Sequence, residues 1–489
     1  MIKLLIILFA WISVSVTFAQ PIALVNLQPG SIITLPVGAA PSALAIADYN
    51  QDNRADIAVC QRGLNSIGVY LQAASGNFPS TPAGTYATGQ APSGLVAVPL
   101  GQYPARPYID LVAVSGPSNT YTLLTNSNNG SGTFTPVANG PSGNRFGQAT
   151  DLVSPQLLAR DLDGNGWIDF AYSLDPTVFV RDGGAYWQRL VSATRVATST
   201  QFNRYQTGYR ASSLALDDFN RDGVTDVVMT NPAGNQFTVV IAQLNSGAPD
   251  WNAASSGQLI ASSGIRPVFV ATGDVNGDLL PDIALAHEGS SEITLFLNSR
   301  TAGFGTPSSY PLSAAPRQVL LQDLNNDRLP EMLVLTADNK LQVFQHTGAA
   351  GLARYGTPIV LPTGSDPVTM QLADVDGDFL TDVVVGCAGD NTVRVYVNRS
   401  GVLATRTPRL TGVDVYPNPA HEQVTVRRTA SLRGPLTATL FDALGRQMRR
   451  TDIVELTTSI PVADLPRGVY VLQLATPEGV MNQRLVIEP

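Results

Sequence analysis

Lysine, histidine and cysteine are nearly missing from this chain. Of 30 basic residues only two are lysines, Lys3 and Lys340, and 489 residues contain three histidines and two cysteines. Two cysteines cannot build a disulfide scaffold or a four-ligand zinc site, and His287, His346 and His421 are too scattered for a His-rich metal centre. Charged residues make up only 14% of the chain, which excludes an acidic disordered protein. The formal net charge of −8 argues against a nucleic-acid groove. Catalytic motifs are missing as well: there is no H-E-x-x-H, no G-x-S-x-G and no G-x-x-x-x-G-K. What is plentiful is apolar residues (44%), glycine (43) and proline (34), the composition of a turn-rich β protein.

The N-terminus reads as an export signal over residues 1–19. Lys3 is the positive region, Leu4 to Val16 the apolar run, and Thr17-Phe18-Ala19 a small-residue cleavage site before Gln20. That run is short for about 30 Å of hydrocarbon, and no later segment reaches about 20 apolar residues. The mature chain is therefore expected to lack a transmembrane segment, and export would place it in an oxidising, calcium-accessible compartment. Cys60 and Cys387 follow equivalent acidic turns near the two ends of the repeat region. A bond between them and a pair of buried small apolar side chains are both open readings.

One pattern recurs: an alternating apolar run, an Asp/Asn turn, then a second apolar run. The turns begin at Asp48, Asp161, Asp218, Asp274, Asp323 and Asp374, with spacings of 57, 56, 49 and 51 residues from the second onward. The first gap, 113 residues, hides one more repeat. Pro92-Ser-Gly-Leu-Val-Ala-Val matches Pro41-Ser-Ala-Leu-Ala-Ile-Ala, and Asp110 matches Asp56, but the intervening loop has lost its other acids. Pro41, Pro267, Pro316 and Pro367 each stand seven residues before a turn, which suits a strand start. Seven repeats of roughly 50 residues, each with about four short strands, predict an all-β fold: a seven-bladed β-propeller over residues 20–403. The strand-like Ile32-Ile-Thr-Leu35 precedes the first full repeat and could complete the seventh blade.

The turns follow D-x-[DN]-x-[DN]-x-x-x-[DE], which puts oxygen side chains at alternating positions of a tight loop. Positions one, three, five and nine are Asp48, Asn50, Asp52 and Asp56 in the first, then Asp161, Asp163, Asn165 and Asp169, then Asp218, Asn220, Asp222 and Asp226. The rest are Asp274, Asn276, Asp278 and Asp282; Asp323, Asn325, Asp327 and Glu331; and Asp374, Asp376, Asp378 and Asp382. A hard cation taking six to eight oxygens, Ca²⁺, fits such a set, so up to six structural ions are expected. An EF-hand is rejected. Its twelfth position needs a bidentate Glu, and here it holds Val59, Tyr172, Met229, Leu285, Val334 and Val385. These positions contain 19 of the chain's 38 Asp and Glu residues, so without a cation each cluster suffers like-charge repulsion.

Together with Gly-x-Phe turns such as Gly76-Asn-Phe78 and Gly132-Thr-Phe134, the six loops resemble FG-GAP/VCBS repeats, the calcium-binding blades of integrin-α-type propellers. The resemblance covers roughly residues 22–400 and implies that the metal loops share one face. The second repeat departs from it, so no ion is expected there, and Arg106 could supply a fixed positive charge instead. After a Pro-containing linker (404–412), residues 413–489 carry Val415-Tyr-Pro-Asn-Pro-Ala420, Leu440-Phe-Asp-Ala-Leu-Gly-Arg446, Leu465-Pro-Arg-Gly-Val-Tyr-Val471 and Arg484-Leu-Val-Ile487. This segment resembles the C-terminal sorting domain of the type IX secretion system. The resemblance implies a small Ig-like β-sandwich recognised by that machinery, with the protein released or held at the cell surface.

The expected function is a calcium-binding surface or secreted module for a glycan or a protein ligand. A secreted polysaccharide lyase on the same scaffold is the alternative, and a spacer in a surface layer a third reading. Tyr103, Tyr108, Trp187 and Tyr209 are candidate sugar-stacking aromatics. His287 reads as a loop histidine, and His346 and His421 as surface residues.

Overall fold

The computed structural model describes residues 24–99, 108–115, 118, 120–137, 157–162, 168–174, 184–188, 190–192, 195–196, 202–206, 209–245, 248–251, 257–299, 303–347, 354–400, 413–416, 420–428, 436–441, 447–453, 455–466, 468–476 and 479–487. Outside them lie the export signal, Tyr103, Arg106, Asp163, Asn165 and the 404–412 linker. The chain divides into two compact units, Met1–Gly401 and Val402–Pro489. Among the described residues every regular element is a strand apart from one short 3-10 turn, Arg62–Leu64, so the all-β expectation holds.

The first unit contains seven four-stranded antiparallel sheets. Their first strands are Pro41–Ala47, Pro92–Val98, Leu157–Arg160, Leu214–Asp217, Pro267–Gly273, Pro316–Gln322 and Pro367–Ala373. In five of them proline is the first residue, where no ladder N–H is needed, and the register shifts immediately after it. The second strand of each sheet starts at position nine of the turn, as in Asp56–Gln61, Asp282–His287 and Asp382–Cys387. The third strands, such as Ser66–Tyr70, Thr120–Asn126 and Glu292–Phe296, begin four or five residues later, and ten residues later in the third sheet, at Gly184–Gln188. The second strands are buried along their whole described length and read as unbroken apolar runs such as Asp-Val-Val-Val-Gly-Cys.

Successive first strands pack on one another. Pro41–Ala47 touches Pro92–Val98, which touches Leu157–Arg160, and Pro267–Gly273 lies between Leu214–Asp217 and Pro316–Gln322. Pro367–Ala373 contacts both Pro316–Gln322 and Pro41–Ala47. The third and fourth sheets share a core of Leu162, Ala171, Leu214, Val227 and Trp251. The seventh sheet takes its outer strand from the other end of the unit. Leu27–Thr34 pairs with Thr392–Asn398, placing Leu27 opposite Asn398 and Ile33 opposite Val393. Cys60 and Cys387 are free thiols, both fully buried in apolar clusters, which leaves no disulfide between them.

The second unit consists of two sheets around one core. The strands Val413–Tyr416, Gln423–Arg428 and Thr457–Pro461 form one, and Leu436–Phe441, Gln447–Ile453, Gly468–Thr476 and Gly479–Ile487 the other. Val424, Val426 and Ile460 face Leu440, Leu472, Leu474 and Leu485 across it.

Candidate metal centres

Each acidic turn is built by its own side chains. In the first, Asp48 accepts the backbone N–H groups of Asp52 (3.1 Å) and Asn53 (2.8 Å), Asn50 Oδ1 accepts that of Asp52 (3.1 Å), and Asp52 Oδ1 accepts that of Arg54 (3.0 Å). The Asp218, Asp274 and Asp323 turns repeat this scheme, and Asp374 receives the N–H groups of Gly377, Asp378 and Phe379. In the Asp48, Asp218, Asp274, Asp323 and Asp374 turns, the residues at positions four and six take positive φ. Position six is Asn53, Gly223, Leu279, Arg328 or Phe379, with φ of 61°, 84°, 69°, 73° and 66°. Glycine is the residue such a backbone favours, so the side chains of Leu279 and Phe379 sit there at a conformational cost and remain 65% and 91% exposed.

Position nine is different. Asp56, Asp169, Asp226, Asp282, Glu331 and Asp382 are fully buried. One carboxylate oxygen accepts the N–H of turn position two, at 2.7–2.9 Å: Tyr49, Leu162, Phe219, Val275, Leu324 and Val375. In four of them the other oxygen accepts an N–H sixteen residues on, from Gln72, Ala242, Asn298 or Asn398, at 2.6–2.9 Å. Burial, reinforced by the neighbouring turn carboxylates, pushes these acids up: Asp56 and Asp382 to about 6, Asp226 and Asp282 to about 7, Glu331 to about 8. Their N–H donors hold them lower than burial alone would.

Among the described residues, Asp374, Asp376 and Asp382 form the one group whose three carboxylate oxygens lie within 4.8 Å of one another; the acids predicted at the Asp48, Asp218, Asp274 and Asp323 turns are not brought together so closely. Oxygen-only donors at this density suit a hard divalent cation and no softer metal. In this structure Arg399 bridges two of the turn's acids, reaching Asp376 and Asp378 at 2.6 Å each. Arg54 similarly meets Asp52 in the first turn. Of the Asp161 turn, Asp161, Leu162, Ile168 and Asp169 are described.

Side-chain amides, which the sequence reading overlooked, join neighbouring sheets on both faces. On the turn face, Nδ2 or Nε2 of the residue sixteen past position nine donates to the position-two carbonyl of the preceding sheet. Asn126 reaches Tyr49 (2.8 Å), Asn298 reaches Phe219 (2.8 Å), Asn398 reaches Leu324 (2.7 Å) and Gln72 reaches Val375 (3.0 Å). On the opposite face, Oδ1 of Asn65, Asn235, Asn339 and Asn391 accepts the N–H of Ala91, Arg266, Asp366 and Ala40, at 2.7–2.9 Å. The Gln72 and Asn391 bonds join the seventh sheet to the first. The signal was in the chain as an Asp followed by Asn or Gln at sixteen residues.

The histidines depart from expectation. His287 lies within a strand, fully buried, with Nε2 2.7 Å from Thr294 Oγ1, and burial lowers it to about 4, so it is neutral. His346 is buried, not exposed: its backbone N–H serves Glu331 as that of Asn398 serves Asp382, and its ring lies edge-on to Tyr355. His421 is exposed as expected. Tyr209 donates to Thr238 Oγ1 (2.5 Å) and packs on the core shared by the third and fourth sheets, so it is no open stacking platform. Tyr108 is half-buried, and Trp187 lies in the strand Gly184–Gln188.

Comparison with known proteins agrees with both units. A model of FG-GAP-like repeats matches residues 218–285, 274–334 and 323–385, and the secretion system C-terminal sorting domain matches residues 414–488. No curated protein matches the chain. Among solved structures, Saccharomyces cerevisiae Sqt1 is similar at TM-score 0.51 and 10% identity, over 76% of this chain and 98% of that one. BBS1N, solved in complex with ARL6DN, matches at TM-score 0.47 and 10% identity, over 76% and 96%. At 10% identity the likeness to Sqt1, a β-propeller protein, concerns fold alone. Among the described residues no helix is long and apolar enough to cross a membrane. The sorting domain indicates recognition by the type IX secretion machinery and export to the cell surface or beyond. The chain therefore carries FG-GAP-like repeats followed by a type IX C-terminal sorting domain.

Proposed function

We propose that this is a secreted or cell-surface binding module: a closed seven-bladed propeller, stiffened by up to six Ca²⁺ ions, that presents a surface to a glycan or protein ligand. An Ig-like sandwich addresses it to the type IX machinery. The observation that carries the calcium reading is the group of three carboxylates at Asp374, Asp376 and Asp382, on a turn whose backbone hydrogen-bond scheme recurs at Asp218, Asp274 and Asp323. When bound, the ion neutralises these acids and fixes the turn. The protein's own contribution is the net of N–H donors that orients each carboxylate beforehand. Support for the ring comes from the packing among first strands, the core shared by the third and fourth sheets, the Leu27–Thr34 pairing and the Gln72 and Asn391 bonds. Thermal unfolding in excess chelator and in millimolar calcium tests the metal. A ligand bound only by the folded state raises its stability by mass action, so calcium raises Tm by many degrees. Coincident curves would remove the ions from the account.

A further inference from the structure

At the end of the first strands remote from the acidic turns, residues of all seven sheets surround a cavity of about 970 Å³. Among the described residues, four arginines, Arg62, Arg210, Arg266 and Arg317, line it together with two acids, Glu288 and Asp366. Arg266 Nε meets Glu288 at 3.2 Å and Arg317 Nη2 meets Asp366 at 3.6 Å, and both pairs are solvent-exposed, so another carboxylate can replace the partner at little cost. In a chain of net charge −8, the described lining of this mouth holds more arginines than acids.

The rim is also held in an unusual backbone state. Ala40, Arg266 and Asp366 have φ of 45°, 58° and 51°, each directly before a proline, a combination that disfavours L-residues. The asparagine bonds from neighbouring sheets to their N–H groups hold them there. Strain maintained by the surroundings is a mark of a prearranged site.

We propose that this mouth binds a carboxylate-bearing oligosaccharide, its acid groups gripped by the forked guanidinium donors of Arg62, Arg210, Arg266 and Arg317. This rests on the reading of the first unit as a ligand-presenting propeller. The volume is at the upper end of ordinary ligand sites, about 300–1,000 Å³, room for several sugar rings. An acidic peptide fits less well. Five first strands begin with proline and break register at the next step, so the rim offers no even ladder to an extended chain.

The test is calorimetric titration of the full, calcium-loaded chain with a galacturonate hexamer, its carboxyl-reduced galactose counterpart and hexaglutamate. The acidic sugar should bind saturably and more weakly with added salt, and the neutral one should not bind. Arg62→Ala/Arg317→Ala should lower affinity about tenfold or more, as expected for loss of charge-assisted bonds, with Tm in calcium unchanged, since the Arg317 pair is exposed. Absence of heat, equal binding of the neutral sugar or of hexaglutamate, or wild-type affinity in the double variant would overturn the proposal. Failure to bind galacturonate alongside a calcium-raised Tm rejects this site and leaves the metal-stabilised scaffold standing. Arginine-dependent binding with a calcium-indifferent Tm supports the site and rejects the ions.

Discussion

The second sheet lacks the acids of its turn, yet it is built like the others. Asp110 is buried, receives the N–H of Asn126 at 2.7 Å, and Asn126 reaches back to Tyr49 of the first sheet, as in the fifth and seventh sheets. The carboxylate at position nine is therefore part of the sheet, whether or not the rest of the turn can take a cation. Positions one, three and five are what the intact turns add, and their loss leaves the strand pairing and the bridge between sheets in place.

Calcium removal should give the largest effect that separates the two kinds of turn. A single site at 100 times its Kd contributes about 2.7 kcal/mol, so several together should move Tm strongly. Asp374→Asn/Asp376→Asn should lower the calcium stoichiometry by one ion. Removal of the shared carboxylate comes next: Asp110→Ala and Asp282→Ala should each cost about 3 kcal/mol in denaturant unfolding, because buried N–H groups lose their acceptor. Asp110→Ala should keep the full calcium response. A cost below about 1 kcal/mol for Asp110→Ala would mean that the common role of position nine is wrong.

The metal-free protein should also respond to pH in the direction set by the raised carboxyls. A group whose folded value exceeds its ordinary one stabilises the fold below the ordinary value and loses that stabilisation as pH rises through the folded value. Asp226 and Asp282 move to about 7 and Glu331 to about 8, so in chelator Tm should fall from pH 5 to pH 8. With calcium present that fall should vanish, since the cation favours the charged form. The smallest effect is expected at the amide bridge. Asn398→Ala should cost about 1–2 kcal/mol, whereas Ala242 shows that the fourth sheet manages without the bridge.

Repeat, strand starts and turn chemistry were legible because each is local: proline at a fixed offset, oxygen side chains at alternating positions, apolar runs after them. The N-terminal strand was legible for the same reason, as an alternating segment with no partner nearby. The bridging amides were not, since Asn398 and Leu324 lie 74 residues apart and Gln72 and Val375 lie 303 apart. His346 was misread as exposed because alternation places a residue on a face without saying what covers it. The axial arginines escaped notice because four distant segments bring them together.

One consequence follows from the pairing of Leu27–Thr34 with Thr392–Asn398. The last sheet needs residues from both ends of the unit, so a chain emerging from the ribosome keeps an unfinished sheet until nearly all of the unit has been made. Closing contacts across so much chain is slow. Until Thr392–Asn398 is made, Leu27–Thr34 has no strand to pair with, so completion of the last sheet is coupled to completion of the whole unit.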